Sequence, residues 1–409
     1  MALRIAKPAL PDDCLIDNRV YTDERLYHQE FDKLFLRVWS FVCHESELAN
    51  PGDFIATIAA GQPIIVCRNQ DGALRAFYNT CRHRAAQVER ERCGNRRVFT
   101  CLYHLWVYDL DGRLTNIPQG EAYKTTYNPN PDGLDPVEFG LVPVRVESHA
   151  RLVFVCFDDA TPPLADYLAE AGDVLMNPFG APDTKMWVQH SKTLRANWKM
   201  QPENSRDGYH APLLHKRLRH VSPPRPYRNL TNGHTVQLMD LDYEAGLKSR
   251  TVDPVLADNP ELARQFMAHP MPGMTRENPS YVVTLFPDTL ILVRYSTVLI
   301  ERQTPNGVRE TTIELRGGGT INDSAEIADI REKHWRYYWS EDAGNLPEDW
   351  EAWEAQQKGV ESAGVRYTLI ARGERGMAGV RGADDNRIRW FWQHWRAYMG
   401  ADQNAPLDA

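Results

Sequence analysis

Two short segments that each combine a cysteine with a histidine constrain this chain more than any other feature. Cys81 and His83 form C-x-H, and Cys101 and His104 form C-x-x-H, with seventeen residues between the two pairs. Structural zinc sites usually pair Cys with Cys and His with His, whereas here each segment supplies one of each. The sequence therefore predicts a cluster of two unlike irons; structural zinc and unrelated buried side chains are the alternatives.

The predicted ligand set is that of a Rieske [2Fe–2S] centre, in which two imidazoles replace two thiolates. Because imidazole is neutral, the cluster carries less negative charge and accepts an electron more readily. Cys93 lies between the two ligand pairs and is predicted to be a free thiol. A cluster of this kind only carries electrons, so the rest of the chain should contain a site that uses them.

A second group of residues, in NWKMQPENSRDGYHAPLLHK, fits a mononuclear metal site. His210 and His215 are five residues apart and would lie about 140° apart on a continuous helix. Pro212 has no N–H for the preceding turn, so we expect it to break the helix and let His215 swing towards His210. Asp207 lies three residues before His210, on the same helical face. Two histidines and one carboxylate form the facial triad of non-haem Fe(II) oxygenases; ordinary helix-end histidines are the alternative.

Composition indicates a globular protein of two domains. The chain has 409 residues, 42% of them hydrophobic and 25% charged, and 409 residues exceed what one core usually holds. A net charge of −8 without a basic stripe argues against a nucleic-acid partner. No apolar run is long enough to cross a bilayer, and the N-terminus has no apolar segment typical of a signal peptide. We therefore expect a cytoplasmic protein whose seven cysteines are thiols or metal ligands.

Hydrophobic periodicity predicts an α+β fold with a strand-rich insert. Short alternating runs with tight turns occupy residues 39–158 and predict a small antiparallel β domain. Helical spacing predicts five helices, at 22–38, 165–176, 198–210, 323–339 and 347–358. Three further segments, YVVTLF, TLILVRYSTVLIERQ and RETTIELRGG, predict long strands. The second of these, residues 289–303, is predicted to be one continuous strand.

The segment CRHRAA…CLYHLWVYDLDGRL resembles the Rieske signature of the large (α) subunits of aromatic-ring-hydroxylating oxygenases. FLRVWSFVCHESELANPGDF resembles the stretch before that domain, and ENSRDGYHAPLLH resembles the family's iron site. Two residues depart from the family pattern: Ala85 stands where glycine is frequent, and Leu105 where a small residue is usual. The resemblance implies an N-terminal helical segment at 1–38, a Rieske domain at 39–158 and a catalytic mononuclear iron domain at 159–409. The last is expected to have a helix-grip (START-like) fold, with helices covering a long antiparallel sheet.

The resemblance also implies a ligand set for the mononuclear iron. His210 and His215 are two of the ligands, and Asp349 in PEDWEAWEAQQKG is the third. The alternative for Asp349 is an ordinary acidic residue in the first turn of a helix, after Pro347. Asp385, in RGADDNR, is the reserve candidate for the third ligand, with a surface loop as its alternative.

The resemblance assigns Asp207 to an electron-transfer bridge between His210 and the Rieske histidine, here His104, of a neighbouring subunit. This role requires a ring of α subunits, commonly a trimer, often with a small β subunit. A reductase, with or without a ferredoxin, would supply electrons from NADH or NADPH. Dioxygen and an aromatic compound would be the substrates.

The substrate is predicted from the catalytic domain. Arg294 and Arg302 are an even number of residues apart in the predicted long strand, so both side chains should point to the same face. Arg302 falls where members of the family that act on aromatic carboxylates have an arginine that binds the carboxylate. A solvated strand-end arginine is the alternative.

The iron-site segment and RWFWQHWRAYMG resemble terephthalate- and salicylate-type oxygenases, which favours mono- or dihydroxylation of a substituted benzoate. An apolar biphenyl-type or polycyclic arene and O-demethylation are the alternatives. The tryptophans of WFWQHW are predicted to pack in the core.

Two other classes of protein compete with an oxygenase. If the protein were only an electron carrier, the residues after the β domain would have no function. A binding protein stabilised by zinc would be colourless, whereas an iron–sulfur protein is coloured.

Overall fold

The structure is a computed structural model that describes residues 7–128, 130, 132–215, 227–238, 259–275, 280–374 and 383–400. The chain divides into two compact units, Phe35–Leu164 and a larger unit that joins Met1–Leu34 to Ala165–Ala409. None of the helices in those ranges is long and apolar enough to cross a membrane.

Three antiparallel sheets make up the Phe35–Leu164 unit. The sheets have the strand orders β5-β4-β3-β6, β10-β11-β2 and β7-β8-β9. The strands are β2 (Ser40–His44), β3 (Asp53–Ala59), β4 (Gln62–Arg68), β5 (Leu74–Tyr78), β6 (Cys93–Asn95), β7 (Phe99–Thr100), β8 (Val107–Tyr108), β9 (Leu114–Asn116), β10 (Arg145–His149) and β11 (Leu152–Cys156). This confirms a small antiparallel β domain.

Strand β4 explains why the apolar run PIIVC is continuous and does not alternate with polar residues. Ile64 and Val66 belong to one buried cluster, while Ile65 and Cys67 belong to another. Because successive side chains of a strand point to opposite faces, β4 is buried on both sides and separates two cores. The second of these cores also contains the two cysteines of the predicted cluster, Cys81 and Cys101.

A seven-stranded antiparallel sheet, in the order β12-β18-β17-β16-β15-β14-β13, dominates the larger unit. Its strands are β12 (Thr184–Leu194), β13 (Tyr227–Asn229), β14 (Thr235–Leu238), β15 (Tyr281–Leu285), β16 (Thr289–Val293), β17 (Val298–Gly307) and β18 (Glu310–Thr320). Strand β1 (Leu15–Asp17) pairs separately with β19 (Tyr367–Leu369). The helices are α1 (Glu24–Lys33), α2 (Leu164–Leu168), α3 (Glu170–Phe179), α4 (Met200–Arg206), α5 (Ala211–Leu214), α6 (Pro260–Ala268), α7 (Ala325–Trp339), α8 (Leu346–Val360) and α9 (Asn386–Met399). Helices and a long antiparallel sheet confirm the predicted α+β class.

Four of the sequence-based elements are wrong in extent. The helix predicted over 22–38 is α1, which ends at Lys33, and the helix predicted over 165–176 is two helices, α2 and α3. The helix predicted over 198–210 ends at Arg206, because Asp207 has an extended backbone. The strand predicted over 289–303 is a hairpin: β16 and β17 pair antiparallel from Val293↔Val298 onwards. Its turn is closed by a hydrogen bond from the Arg294 N–H to the Thr297 carbonyl, at 2.8 Å. The run contains no glycine or proline, the usual sequence markers of a turn.

Helix α9 contains the aromatic segment WFWQHW. Phe391, Trp392 and Trp395 are all fully buried in the larger unit. Trp392 meets Tyr21 edge to face, with ring centroids 5.9 Å apart. The prediction that these tryptophans pack in the core is confirmed for Trp392 and Trp395, whereas Trp390 is only partly buried.

Candidate metal centres

The two loops that carry the cysteine–histidine pairs have the same backbone geometry. In each, the N–H of the cysteine, Cys81 or Cys101, donates to the carbonyl five residues later. The carbonyl of the same cysteine accepts from the N–H four residues later. Those fourth residues are Ala85 and Leu105, with φ of 56° and 55°. Glycine is the residue best suited to this left-handed conformation, which explains why glycine is frequent at the first position in the family; Ala85 and Leu105 adopt it with a side chain.

The side chains of the two loops converge on one point. Cys81 and Cys101 are 4% and 2% exposed, and their thiols interact with each other. The rings of His83 and His104 lie 4.4 Å apart, and His83 Nδ1 is buried with no hydrogen-bond partner in the described part of the chain. Two adjacent thiols and an imidazole with an unsatisfied nitrogen suit a [2Fe–2S] centre. Cys93 is an exposed free thiol on β6.

Tyr108 and Trp106 border this cluster site. The hydroxyl of Tyr108 lies 3.2 Å from Cys81 Sγ and accepts a hydrogen bond from the Arg82 N–H. Burial and the neighbouring Cys81 raise the pKa of Tyr108 far above its ordinary value, so its proton is retained. Trp106 stacks on His83 with centroids 5.0 Å apart and fixes the plane of the imidazole.

The mononuclear site forms where α4, α5 and α8 meet. The ligand atoms of His210, His215 and Asp349 all lie within 4.8 Å of one another. Each histidine places Nε2 at 3.5 Å from the same oxygen, Asp349 Oδ1. The sequence suggested that Pro212 breaks a helix, and this is wrong. Pro212 lies in the first turn of α5, where the N–H that proline lacks would have no partner within the helix. His215 ends that short helix, and α5 brings it back beside His210.

A second carboxylate faces the other nitrogen of each imidazole. His215 Nδ1 lies 3.1 Å from Glu348 Oε2, and His210 Nδ1 lies 3.6 Å from Asp207 Oδ2. The carboxylate of Glu348 fixes the tautomer and orientation of His215. The 3.6 Å between Asp207 and His210 is too long for a hydrogen bond, and His210 Nδ1 has no hydrogen-bond partner among the described residues. Sequence reasoning missed Glu348, which looked like an acidic residue of the first helical turn.

The charge balance of this site fits a divalent cation. Burial raises the pKa of Asp349, and the nearby His215 and His210 offset only part of that effect. Asn204 donates to Asp349 Oδ1 at 3.0 Å and holds the carboxylate in place. Two imidazoles and one carboxylate leave coordination positions open, which is the arrangement of non-haem Fe(II) oxygenases.

The structure keeps Asp385 away from the two histidines. Asp385 precedes α9, and its Oδ2 accepts a hydrogen bond from the Arg372 N–H at 2.8 Å. It is 7% exposed, so it is not a surface-loop residue, and it is outside the group of ligand atoms formed by His210, His215 and Asp349. Burial, and then the charge of Asp207, raise its pKa.

The two arginines of the predicted strand also lie apart from the triad. Arg294 lies at the hairpin turn, 5.8 Å from the ring of Tyr338, so it does not share one strand with Arg302. Arg302 is 3% exposed, and its Nη1 lies 3.6 Å from Glu314 Oε2. Its neighbour Gln303 contacts Gln201 of α4, so strand alternation directs Arg302 to the opposite face of the sheet. Its carboxylate-binding role stays a prediction.

Comparisons with known proteins agree with both sites. Residues 38–128 match the Rieske [2Fe-2S] domain, and residues 182–401 match the catalytic domain of the ring-hydroxylating α subunit. The α subunit of 2-aminobenzenesulfonate 2,3-dioxygenase from Alcaligenes sp. is 31% identical over 95% of this chain and 94% of that one. The large subunit of anthranilate 1,2-dioxygenase from Burkholderia cepacia is 29% identical over the same shares. Resemblance to the terephthalate and salicylate branch stays a prediction.

The fold also matches a solved structure. Naphthalene 1,2-dioxygenase from Rhodococcus sp., bound to indole, superposes with a TM-score of 0.76 over 94% of each chain, at 21% identity. The matched domains and the relatives show that the chain belongs to the α subunits of the Rieske ring-hydroxylating oxygenases, oxidoreductases with a [2Fe–2S] cluster and a mononuclear iron.

Proposed function

We propose that this chain is the oxygenase component that hydroxylates an aromatic acid, most specifically a substituted benzoate. The observation that carries the oxygenase function is the triad of His210, His215 and Asp349, with a carboxylate behind each imidazole. The substrate class rests on relatives named for 2-aminobenzenesulfonate and anthranilate, both aromatic acids.

In this proposal the chain's own residues hold and orient both metals. Cys81, His83, Cys101 and His104 hold the cluster, which supplies single electrons. His210, His215 and Asp349 hold the iron, which supplies the activation of dioxygen. Asn204 and Glu348 keep Asp349 and His215 in position, and neither is a ligand.

Asp207 is proposed as the bridge that carries electrons between subunits. It lies beside His210, and its Oδ1 accepts from the Tyr209 N–H at 2.7 Å, which fixes the carboxylate at the end of α4. About a quarter of its side chain is exposed, so one oxygen can meet His104 of a neighbouring subunit. The family consists of multicomponent oxygenases with oligomeric α subunits, a reductase and ferredoxin partners. For this chain we propose a homotrimeric ring, α3 or α3β3.

The first experiment is the metal and acid-labile sulfide content of anaerobically purified protein, together with its visible spectrum. We expect a red-brown protein with about three irons and two sulfides per chain. Zinc without sulfide in a colourless protein would contradict the oxygenase proposal as a whole.

The second experiment tests the substrate class. With a compatible reductase and NADH, we expect oxygen-dependent turnover of substituted benzoates and benzenesulfonates. A biphenyl dioxygenase α subunit from Metapseudomonas furukawaii, 29% identical over 85% of this chain, makes an apolar arene the second candidate. Turnover of biphenyl without turnover of any acid would replace the first proposal by the second. Release of formaldehyde from methoxybenzoates would instead identify an O-demethylase.

A further inference from the structure

Glu301 is a buried carboxylate in the middle of β17 that no other part of the site explains. It is 0% exposed. Neither Oε1 nor Oε2 has a hydrogen-bond partner among the residues that the structure describes. Buried carboxylates are normally paired or hydrogen-bonded, because desolvation without compensation is costly.

The side chain of Glu301 lies on the iron side of the sheet. Gln303 has the same parity, and its Nε2 donates to Gln201 Oε1 of α4 at 2.8 Å. Glu301 itself interacts with Gln201 and with the charge of Asp349. Its carboxylate therefore lies on the face that α4 covers, close enough to Asp349 to be influenced by that charge.

The surroundings do not supply a cation. In the register of the sheet, Glu301 lies opposite Leu290 on one side and Leu315 on the other, both apolar. Among the described residues no lysine, arginine or histidine forms an ion pair with it. Burial, and then the negative charge of Asp349, raises the pKa of Glu301 to about 8. The adjacent Gln201 Nε2 also lacks an acceptor within hydrogen-bond geometry.

Gln201 Nε2 can turn to donate to one oxygen of Glu301, which leaves the other oxygen without a partner among the described residues. This unfilled position indicates that the missing partner comes with the ligand. We propose that Glu301, supported by Gln201, is a substrate subsite for an amino or ammonium nitrogen. The subsite fixes which edge of the ring faces the iron. This inference rests on the proposed function, because it takes the triad side of the sheet to be the substrate side.

The test compares ligands that differ at a single substituent. Binding of 2-aminobenzoate, 2-methylbenzoate and benzoate to the iron-loaded holoenzyme is measured by anaerobic calorimetry. Methyl and amino groups are similar in size, so their affinity ratio isolates the hydrogen bond. Glu301→Leu removes both acceptor oxygens, whereas Glu301→Gln keeps the shape and one acceptor oxygen but cannot ionise. Glu310→Gln, an exposed carboxylate on β18, is the matched control.

We expect the wild type to bind 2-aminobenzoate about tenfold more tightly than 2-methylbenzoate, as a built hydrogen-bonding subsite does. Glu301→Leu should bring this ratio close to one and leave the affinity for 2-methylbenzoate within about twofold. Glu310→Gln should behave as the wild type. Should the leucine variant lose its iron, benzylamine decides: Glu301→Gln cannot ionise, so it should bind this ammonium ligand about tenfold more weakly than the wild type does.

The inference and the proposed function fail differently. An affinity ratio near one in the wild type, or an unchanged ratio in both Glu301 variants, overturns the subsite while benzoate turnover remains. If no aromatic acid binds but benzylamine does, in a manner abolished by Glu301→Leu, the subsite stands and the proposed acid substrate is wrong.

Discussion

At the residue scale, one hydroxyl is placed to set the potential of the cluster. Tyr108 OH lies 3.2 Å from Cys81 Sγ, and once that sulfur is a metal-bound thiolate only the tyrosine can donate. A hydrogen bond to sulfur stabilises the reduced, more negative cluster more than the oxidised one. We expect Tyr108→Phe to lower the reduction potential by tens of millivolts, since about 59 mV corresponds to a tenfold change for one electron.

Potentiometric titration of the cluster's visible dichroism measures this shift. Tyr123→Phe is the matched control, because Tyr123 packs on Trp106 at 5.9 Å and has no contact with sulfur. An unchanged potential in Tyr108→Phe, with a normal spectrum, would mean that the hydroxyl bonds elsewhere in the loaded protein.

The candidate ligands that lie together at each site were predictable from sequence, whereas the groups that orient them were not. A C-x-H and a C-x-x-H indicate their chemistry by spacing, but the backbone hydrogen bonds that the two loops share do not depend on that spacing. Glu348 has no such signal: it takes an ordinary place in the first turn of α8, and only the return of His215 gives it a partner. Its role depends on packing between segments more than 130 residues apart.

Glu348 should affect the affinity for iron without being a ligand. Glu348→Ala leaves His215 Nδ1 without its orienting acceptor, so we expect iron affinity to fall about 10- to 100-fold. Glu351→Ala, at an exposed position of the same helix, should have no effect. The iron that each variant retains in the presence of a chelator measures this affinity, and an unchanged sulfide content shows that the cluster is intact. Equal retention in both variants would reduce Glu348 to a surface charge.

At the scale of elements, α4 is held by buried charges at its start. Lys199 Nζ lies 2.6 Å from Glu30 Oε1, and neither side chain is exposed. Trp198 and Trp395 donate to the same carboxylate. The N-terminal helix α1 and the C-terminal helix α9 thereby fix the helix that leads to Asp207 and His210. Sequence patterns predicted α1, α4 and the burial of tryptophans in the segment of α9, but not the pairing of these helices, since no local pattern joins residue 30 to residue 199.

Glu203 makes the stability of this helix cluster depend on pH. Burial raises its pKa from 4.5 to about 7, although Tyr21 and Trp392 donate to it. A raised pKa means that the folded state binds the proton more tightly than the unfolded chain. The corresponding stability is present below pH 4.5 and lost as the pH rises through 7, about 3 kcal/mol in all.

Urea unfolding between pH 5 and 8 measures this dependence. Glu203→Gln has the same shape but no charge to bury. Between pH 5 and 8 its free energy of unfolding should therefore fall by about 3 kcal/mol less than that of the wild type. The variant should be more stable than the wild type at pH 8. Parallel profiles for the two proteins would assign the dependence to other groups.

The hairpin of β16 and β17 shows where strand parity misleads. Alternation applies only within one strand, and the turn at residues 294–297 separates Arg294 from Arg302. Arg302 is buried beside Glu314 and near Asp288. Glu314 keeps its closer pair with Arg316, at 3.2 Å, whereas Asp288 loses a nearby cation, so Arg302→Leu should cost about 1–3 kcal/mol of stability.

The same variant tests the predicted carboxylate-binding role. That role requires a selective loss of affinity for carboxylated rings, measured on folded protein by calorimetry, with binding of uncharged arenes unchanged. Arg195→Leu, at an exposed position after β12, is the control for loss of a positive charge. A fall in stability without any change in affinity would make Arg302 a structural residue only.

At the scale of the whole molecule, the chain carries two metal sites in two separate units. Electron transfer between subunits is proposed from the family resemblance and from the partly exposed Asp207 beside His210. A chain without the triad carboxylate, Asp349→Ala, should keep its cluster, and a chain with Cys81→Ser should keep its triad. Each variant alone is expected to be inactive, because each lacks one of the two metal centres.

Co-expression of the two variants distinguishes transfer within a chain from transfer between chains. In a randomly mixed ring, a site works when its own chain binds iron and its neighbour has a cluster, which occurs at about one site in four. We therefore expect about a quarter of wild-type turnover from the mixture. Adding Asp207→Asn to the iron-binding chain should abolish the recovered activity while its iron remains. Transfer within one chain would give no turnover in any mixture. If mass measurement confirms mixed oligomers and no turnover is found, both metal centres must act within one chain, and Asp207 is not a bridge between subunits.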